Sequence, residues 1–265
     1  MTDVVRSRQQ VDSYMKKICS VRKEGKDKFF TWFDGPVGGN TEEAFAKGKD
    51  VFKRMFLPFT KGHTKGEHKE FRRALDIGYG GGCHLAAACE FFDYVVGIDV
   101  HHEYSHVRSE LHRRDKCNFE LWCTDGWTLP NVYELSVDFV YSWVTFIHLD
   151  GIENVKAYLK EIRKVLRPGG TAVIYFGRLC RCKRLQTQEQ FQEDLRKEVE
   201  HETGYRDGGA STRVNGIRLV IAAWKMEEMA EAAGLKVESF TASHAETENG
   251  PVYFGQHGIV LRKEG

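Results

Sequence analysis

The stretch from Arg72 to His84 constrains this chain more than any other. A short apolar run, Ala74 to Ile77, carries the carboxylate Asp76 and turns through Gly78, Gly80, Gly81 and Gly82. It then enters the helix-forming run Leu85 to Glu90. That order reads as strand, tight turn and helix start. Glycine is needed where backbone takes positive φ or must approach a ligand closely. The helix start beyond it offers free N–H groups and a positive dipole end. On its own the turn is also compatible with a purely structural role.

A second buried run, Tyr94 to Asp99, ends in another acid. Asp99 lies 17 positions past Gly82 (99 minus 82), near the roughly 20 expected of a carboxylate that grips ribose hydroxyls. A dinucleotide turn asks for G-x-G-x-x-G/A, and its third position here is Cys83. The spacing present is D-x-G-x-G-x-G, on Asp76, Gly78, Gly80 and Gly82. This resembles motif I of the class I S-adenosylmethionine (SAM) methyltransferases. The resemblance implies SAM as cofactor, with Asp76 facing its cationic amino acid end and the three glycines letting backbone pass beside it. It further implies Asp99, with Val100, on the ribose. A carboxylate beside an ammonium is favourable, whereas beside a pyrophosphate it is misplaced.

Later segments follow in the family's order. Cys117 to Trp122 reads as a third strand, followed by Asp125-Gly126. The pair resembles the family's adenine-reading element, and it also suits an ordinary Asp-Gly turn. Ser136 to Val144 reads as the fourth strand, with Ser142 and Trp143 near its end. In the family the loop after this strand faces the methyl group. His148 is the side chain in that loop whose unperturbed pKa allows proton acceptance near neutrality. It is a candidate general base, with packing alone as the competing reading. Asp150 and Glu153 have capping-box spacing at the next helix. Val165 to Gly170 resembles the helix-to-strand turn before strand five, Thr171 to Phe176. Arg178, just past that strand, is a candidate clamp for an anionic acceptor group.

The expected architecture is α/β: a three-layer sandwich around a seven-stranded, mostly parallel sheet whose last strand is antiparallel, with a helical cap and an insert. Residues 1–70 are assigned to the cap, and residues 71–265 to the SAM-binding domain. Val11, Tyr14, Met15 and Ile18 have helical spacing. Phe29 to Asn40 runs from aromatics into a glycine-rich loop, and Thr41 with Glu42 and Glu43 opens a helix that Pro58 ends. Tyr14 and Trp32 are candidate acceptor contacts together with Trp143; packing on the core accounts for such aromatics equally well. Residues 177–218 form the insert. Its helix, opened by Thr187 and Gln190, carries the thin stripe Phe191, Leu195 and Val199 and reads as a surface lid. Arg206 to Ser211 reads as a mobile loop. Leu219 to Ala233 reads as a helix, before strands Leu235 to Phe240 and Val252 to Leu261.

Composition narrows the partners. The 265 residues, 41% hydrophobic, allow a substantial core. Mean hydropathy is −0.47, and no run approaches the roughly 20 apolar residues of a membrane span. A formal net charge of +1 exerts no global pull on nucleic acid. The first 20 residues lack a secretory apolar region. Seven cysteines without framework spacing point to reduced thiols and a cytoplasmic location.

Two motifs compete for attention. His102-Glu103-Tyr104-Ser105-His106 matches H-E-x-x-H, the zinc-binding helix pattern. It falls where the family's second helix begins, and no downstream ligand stands out, so no metal is assigned. Cys180-Arg181-Cys182 is too closely spaced for a zinc knuckle, and the basic residues from Arg178 to Arg184 read as a solvated loop. The expected reaction is methyl transfer to an oxygen or nitrogen of a polar small molecule, without nucleic acid or membrane as partner. RNA or protein as acceptor, and an NAD-type oxidoreductase, are the alternatives.

Overall fold

The computed structural model describes residues 14–33, 38–65, 71–180, 186–207 and 218–265. Val11, Arg181 to Arg184 and the segment from Gly208 to Ser211 lie outside the described residues.

One mixed sheet carries the fold. Its parallel part runs β3 (Phe119–Cys123), β2 (Tyr94–Asp99), β1 (Arg73–Ile77), β4 (Val137–Ser142) and β5 (Leu166–Arg178). Next to β5 lies β9 (Gly250–Arg262), antiparallel, and beyond it β8 (Lys236–Thr247). These seven strands make the expected sheet. Two further short strands, β6 (Tyr205–Asp207) and β7 (Leu219–Ile221), bring the total among the described residues to nine. β7 pairs with Gly177 and Arg178, past Ile174 where β4 leaves β5. The Leu219 to Ala233 stretch is therefore not helical throughout. Its β-branched start pairs as a strand, and only α8 (Ala223–Ala232) is helix.

The central strands bury both faces, so their side chains alternate between two cores. Ala74, Phe139, Tyr141, Val173 and Tyr175 face one core with α2 (Lys26–Phe33), α3 (Thr41–Met55), α4 (Cys83–Ala88) and α5 (Tyr104–Arg113). Leu75, Val140, Ala172, Ile174 and Phe176 face the other, with α6 (Ile152–Val165) and α8. The result is three layers. The N-terminal helices, including α1 (residues 14–23), contribute Ile18, Phe29, Phe30, Phe45, Phe52 and Phe56 to that first core. Asn40 caps α3 in a capping box with Glu43, one place before the expected start.

Two cap expectations divide. Thr187 and Gln190 form the expected capping box on α7 (Gln188–Val199). At α6, Gly151 is the N-cap and no side chain caps it; Asp150 lines the cleft described next. Nor does α7 lie loosely on the surface. It buries Phe191, Asp194 and Glu198. The Glu198 carboxylate accepts the amides of Leu179 at 3.1 Å and Ala223 at 3.2 Å, fixing the end of β5 and the start of α8.

Candidate active site

The ends of β1 to β4 and the helices α1 and α2 enclose a cleft of about 1050 Å³, mouth included. Ligands of parallel sheets sit in this position, beyond strand C-termini. The glycine turn forms its floor. Gly78 has φ +83°, and a Cβ there would fall 1.9 Å from Thr145 Oγ1. Gly80 has φ +50°, and its Cβ would meet the Phe33 ring at 2.8 Å. Any larger residue at either place would be both strained and obstructed.

Asp99, 6% exposed at the end of β2, lines the cleft. Its Oδ2 accepts the Gly80 amide at 2.9 Å and its Oδ1 the His101 amide at 3.3 Å. A carboxylate has about four acceptor positions, so capacity remains for hydroxyls entering the cleft. Asp125 lies after β3 and accepts the amides of Trp127 and Thr128 at 2.8 and 2.9 Å. Partial burial acts to raise its pKa, but these hydrogen bonds prevail and hold it below the usual range. Asn154 of α6 donates to the Gly126 carbonyl at 3.4 Å, tying the same loop to the opposite helix layer.

The loop after β4 supplies the far wall with Trp143, Val144, Thr145 and His148. Val144 has φ +64°, a costly conformation for a β-branched residue. Such strain persists only where surroundings impose it, and it clusters at functional sites. Here it turns the chain from β4 into a 3₁₀ turn, Thr145–His148. Trp143 packs edge-on against Tyr175 at 4.7 Å and lies 6.3 Å from the His84 ring. From the N-terminal helices, Tyr14 and Trp32 face each other at 6.0 Å, and Phe33 lies beside Trp32 at 4.9 Å.

Ten of the residues singled out by sequence thus line one cleft: Tyr14, Trp32, Gly78, Gly80, Asp99, Val100, Asp125, Gly126, Trp143 and His148. Asp76, Gly82, Ser142 and Arg178 do not line it. Asp76 is 2% exposed, buried within β1 beneath the turn. Burial and then the Asp76 charge push the Tyr141 pKa well up. Gly82, φ +78°, admits α5, whose Val107 would stand 2.8 Å from a Cβ. Ser142 is fully buried and donates to the Ile77 carbonyl at 2.8 Å, joining β4 to β1. Arg178 is corrected most: β5 extends through it and encloses it completely. Its guanidinium lies 4.0 Å from Asp194 and over the Phe191 ring, where β5 meets α7.

The cleft also contains His84, Phe33, Thr145, Asn154 and Tyr158, which sequence reasoning missed. Asn154 and Tyr158 are four apart on α6, a spacing that puts both on one helix face. His84 sits two places past the last glycine of the turn, in the first turn of α4. Of the H-E-x-x-H residues, Glu103 pairs with Arg22, and His106 packs on Phe29 and Phe30. Burial, then Arg22, lowers the His106 pKa. Among the described residues, no cluster of three or more His, Cys, Asp or Glu is arranged to hold a metal.

Residues 75–174 match the family described as "Methyltransferase domain". Among solved structures, the chain resembles a SAM-dependent methyltransferase from Methanosarcina mazei at 18% identity and TM-score 0.54, over 78% of this chain and 97% of that one. It also resembles a Haloferax volcanii putative methyltransferase solved with the Trm112 methyltransferase activator, at 18% identity and TM-score 0.54, over 91% and 100%. A putative sarcosine dimethylglycine methyltransferase from Galdieria sulphuraria aligns at 12% identity and TM-score 0.53, over 86% and 90%. At such identities the likenesses establish fold alone. No curated protein sequence matches the chain.

Proposed function

We propose that the chain is a class I SAM-dependent methyltransferase, as its methyltransferase-domain match supports, and that its acceptor is a polar small molecule methylated on oxygen or nitrogen in the cleft beneath α1 and α2. The observation that carries this reading is the cleft's lining. Among the described residues it holds three carboxylates (Asp99, Asp125, Asp150), two imidazoles (His84, His148) and no lysine or arginine. Tyr14, Trp32, Phe33 and Trp143 wall it. An acidic, aromatic chamber suits a cationic cofactor and a small acceptor, and disfavours a phosphate backbone, which needs cations along its path. The same argument weighs against a dinucleotide and its pyrophosphate. No helix among the described residues is long and apolar enough to cross a membrane.

The residues present fit the cofactor. Glycine at 78 and 80 lets the Thr145 and Phe33 side chains close directly on the turn's backbone, so the turn itself borders the cleft, and Asp99 keeps acceptor capacity toward it. SAM supplies an activated methyl group on a sulfonium. The protein's part is orientation in a dry site, since an in-line displacement depends chiefly on positioning. In this reading Asp99 holds ribose hydroxyls beside Val100, while Asp125 and Gly126 face the adenine. Gly78 and Gly80 border the methionine portion. Trp143, Tyr14 and Trp32 position the acceptor, and His148 removes its proton where the nucleophile carries one. Asp76, Gly82 and Ser142 act one step back, by holding the shape of the turn and the β1–β4 joint.

The decisive experiment incubates the protein with isotopically methyl-labelled SAM and, separately, a metabolite extract, total RNA and total protein. Label is expected in a small metabolite. Label confined to RNA or protein would overturn the acceptor class and leave the methyltransferase in place.

A further inference from the structure

Gly80 is held from both sides. Its N–H donates to Asp99 Oδ2, and its carbonyl lies 2.9 Å from His101 Nε2. The other ring nitrogen settles the tautomer. His101 Nδ1 is 3.1 Å from the Glu103 amide, which can only donate, so Nδ1 is the acceptor. In the neutral ring the proton then sits on Nε2, and the second bond runs from Nε2–H to the Gly80 carbonyl. His101 is fully buried. Tyr79 meets its ring edge-on at 4.9 Å and Phe33 lies tilted at 5.8 Å, which fixes the ring's plane.

Gly80 has reason to need such a hold. Glycine populates positive and negative φ about equally and loses more freedom on ordering than any other residue. An unheld turn would be ordered only when ligand arrives, and affinity would fall by that cost. The arrangement also reaches the N-terminal helices: Glu103, whose amide orients the imidazole, bonds through its carboxylate to Arg22 of α1.

We propose that His101 is a positioning residue for methyl transfer, presetting the glycine turn by gripping the Gly80 carbonyl while Asp99 grips its amide. This rests on reading the cleft as the SAM site. His101 touches neither cofactor nor acceptor in it; among the described residues it does not line the cleft.

Two substitutions separate the two halves of the imidazole. Glutamine at position 101 carries an N–H donor near the place of Nε2. Asparagine carries an acceptor near the place of Nδ1 but no donor that reaches Gly80. SAM binding by calorimetry is expected to stay within about threefold of wild type in His101→Gln and to weaken about tenfold or more in His101→Asn, the scale of one lost hydrogen bond in a buried site. In turnover, the asparagine variant should raise KM for SAM by the same factor and lower kcat far less. Amide exchange of the unliganded asparagine variant should quicken at Gly80 to Gly82 and stay unchanged in β2. A folded His101→Asn protein with wild-type affinity and exchange overturns the proposal. So does a His101→Gln protein that binds SAM as weakly as the asparagine variant. Wild-type protein that binds no SAM overturns the reading of the cleft itself, and that result separates the two failures.

Discussion

Glu198 and His257 meet at 3.0 Å with each side chain 2% exposed, joining α7 to β9. Burial acts to raise the Glu198 pKa. The hydrogen bond and charge of His257, with the Ala223 and Cys180 amides, outweigh it and leave the pKa lowered. A depressed carboxyl pKa stabilises the fold above the unfolded value of about 4.3 and loses that contribution as pH falls through the folded value. Glu198→Gln should therefore melt below wild type at pH 7, with the gap closing under about pH 4.5. Glu198→Ala should cost about 3–5 kcal/mol at neutral pH, as removal of one member of a buried pair does. A gap between wild type and Glu198→Gln that stays constant with pH would contradict the electrostatic part.

Asp99→Ala should weaken SAM binding by about 1.5–3 kcal/mol, the worth of hydrogen bonds to a charged group. Part of that loss reflects the released Gly80 amide, so amide exchange in the turn should quicken in parallel. A folded variant with unchanged calorimetric affinity would remove Asp99 from the cofactor site.

His148→Ala should depress turnover about 10²–10⁴-fold, the range of general base catalysis, with little change in SAM affinity. Measured with the true acceptor, survival of turnover would leave His148 as a wall of the cleft and the reaction as proximity alone.

The H-E-x-x-H match is expected to be incidental. Protein purified without a histidine tag should carry no stoichiometric zinc, and chelators should leave SAM binding intact. Exposed His102 has no neighbouring set of ligands among the described residues. Tight zinc lost on His102→Ala would falsify this.

Much of the sheet was legible because β1, β2 and β4 bury both faces and read as apolar runs ending in acid or turn residues. The glycine spacing located the cleft's floor for a related reason: positive φ and close approach leave few residue choices. What stayed hidden depends on tertiary contacts. Helical periodicity marked Tyr14 and Ile18 as one stripe, yet Tyr14 faces the cleft and Ile18 only the core. Leu219 to Ile221 passed for helix because Ala222 and Ala223 continue the run; only the extended end of β5 makes it a strand. Arg178 looked like an end-of-strand clamp because that extension could not be seen. Nothing local distinguishes His101, fully buried, from exposed His102 beside it.

Strand β5 pairs with β9 from Gly177 opposite Gln256 to Thr171 opposite Arg262. Even the nearest of these partners are 79 residues apart (256 minus 177). At roughly 5–20 residues per second of synthesis, the β5 edge waits on the order of 4–16 s for its partner to emerge. Throughout that interval the middle of the sheet presents unpaired backbone flanked by Val173, Ile174 and Phe176, the kind of edge that invites pairing with another chain. The newborn protein is thus most open to aggregation, and most in need of a chaperone, after its glycine turn is made and before its last hairpin arrives.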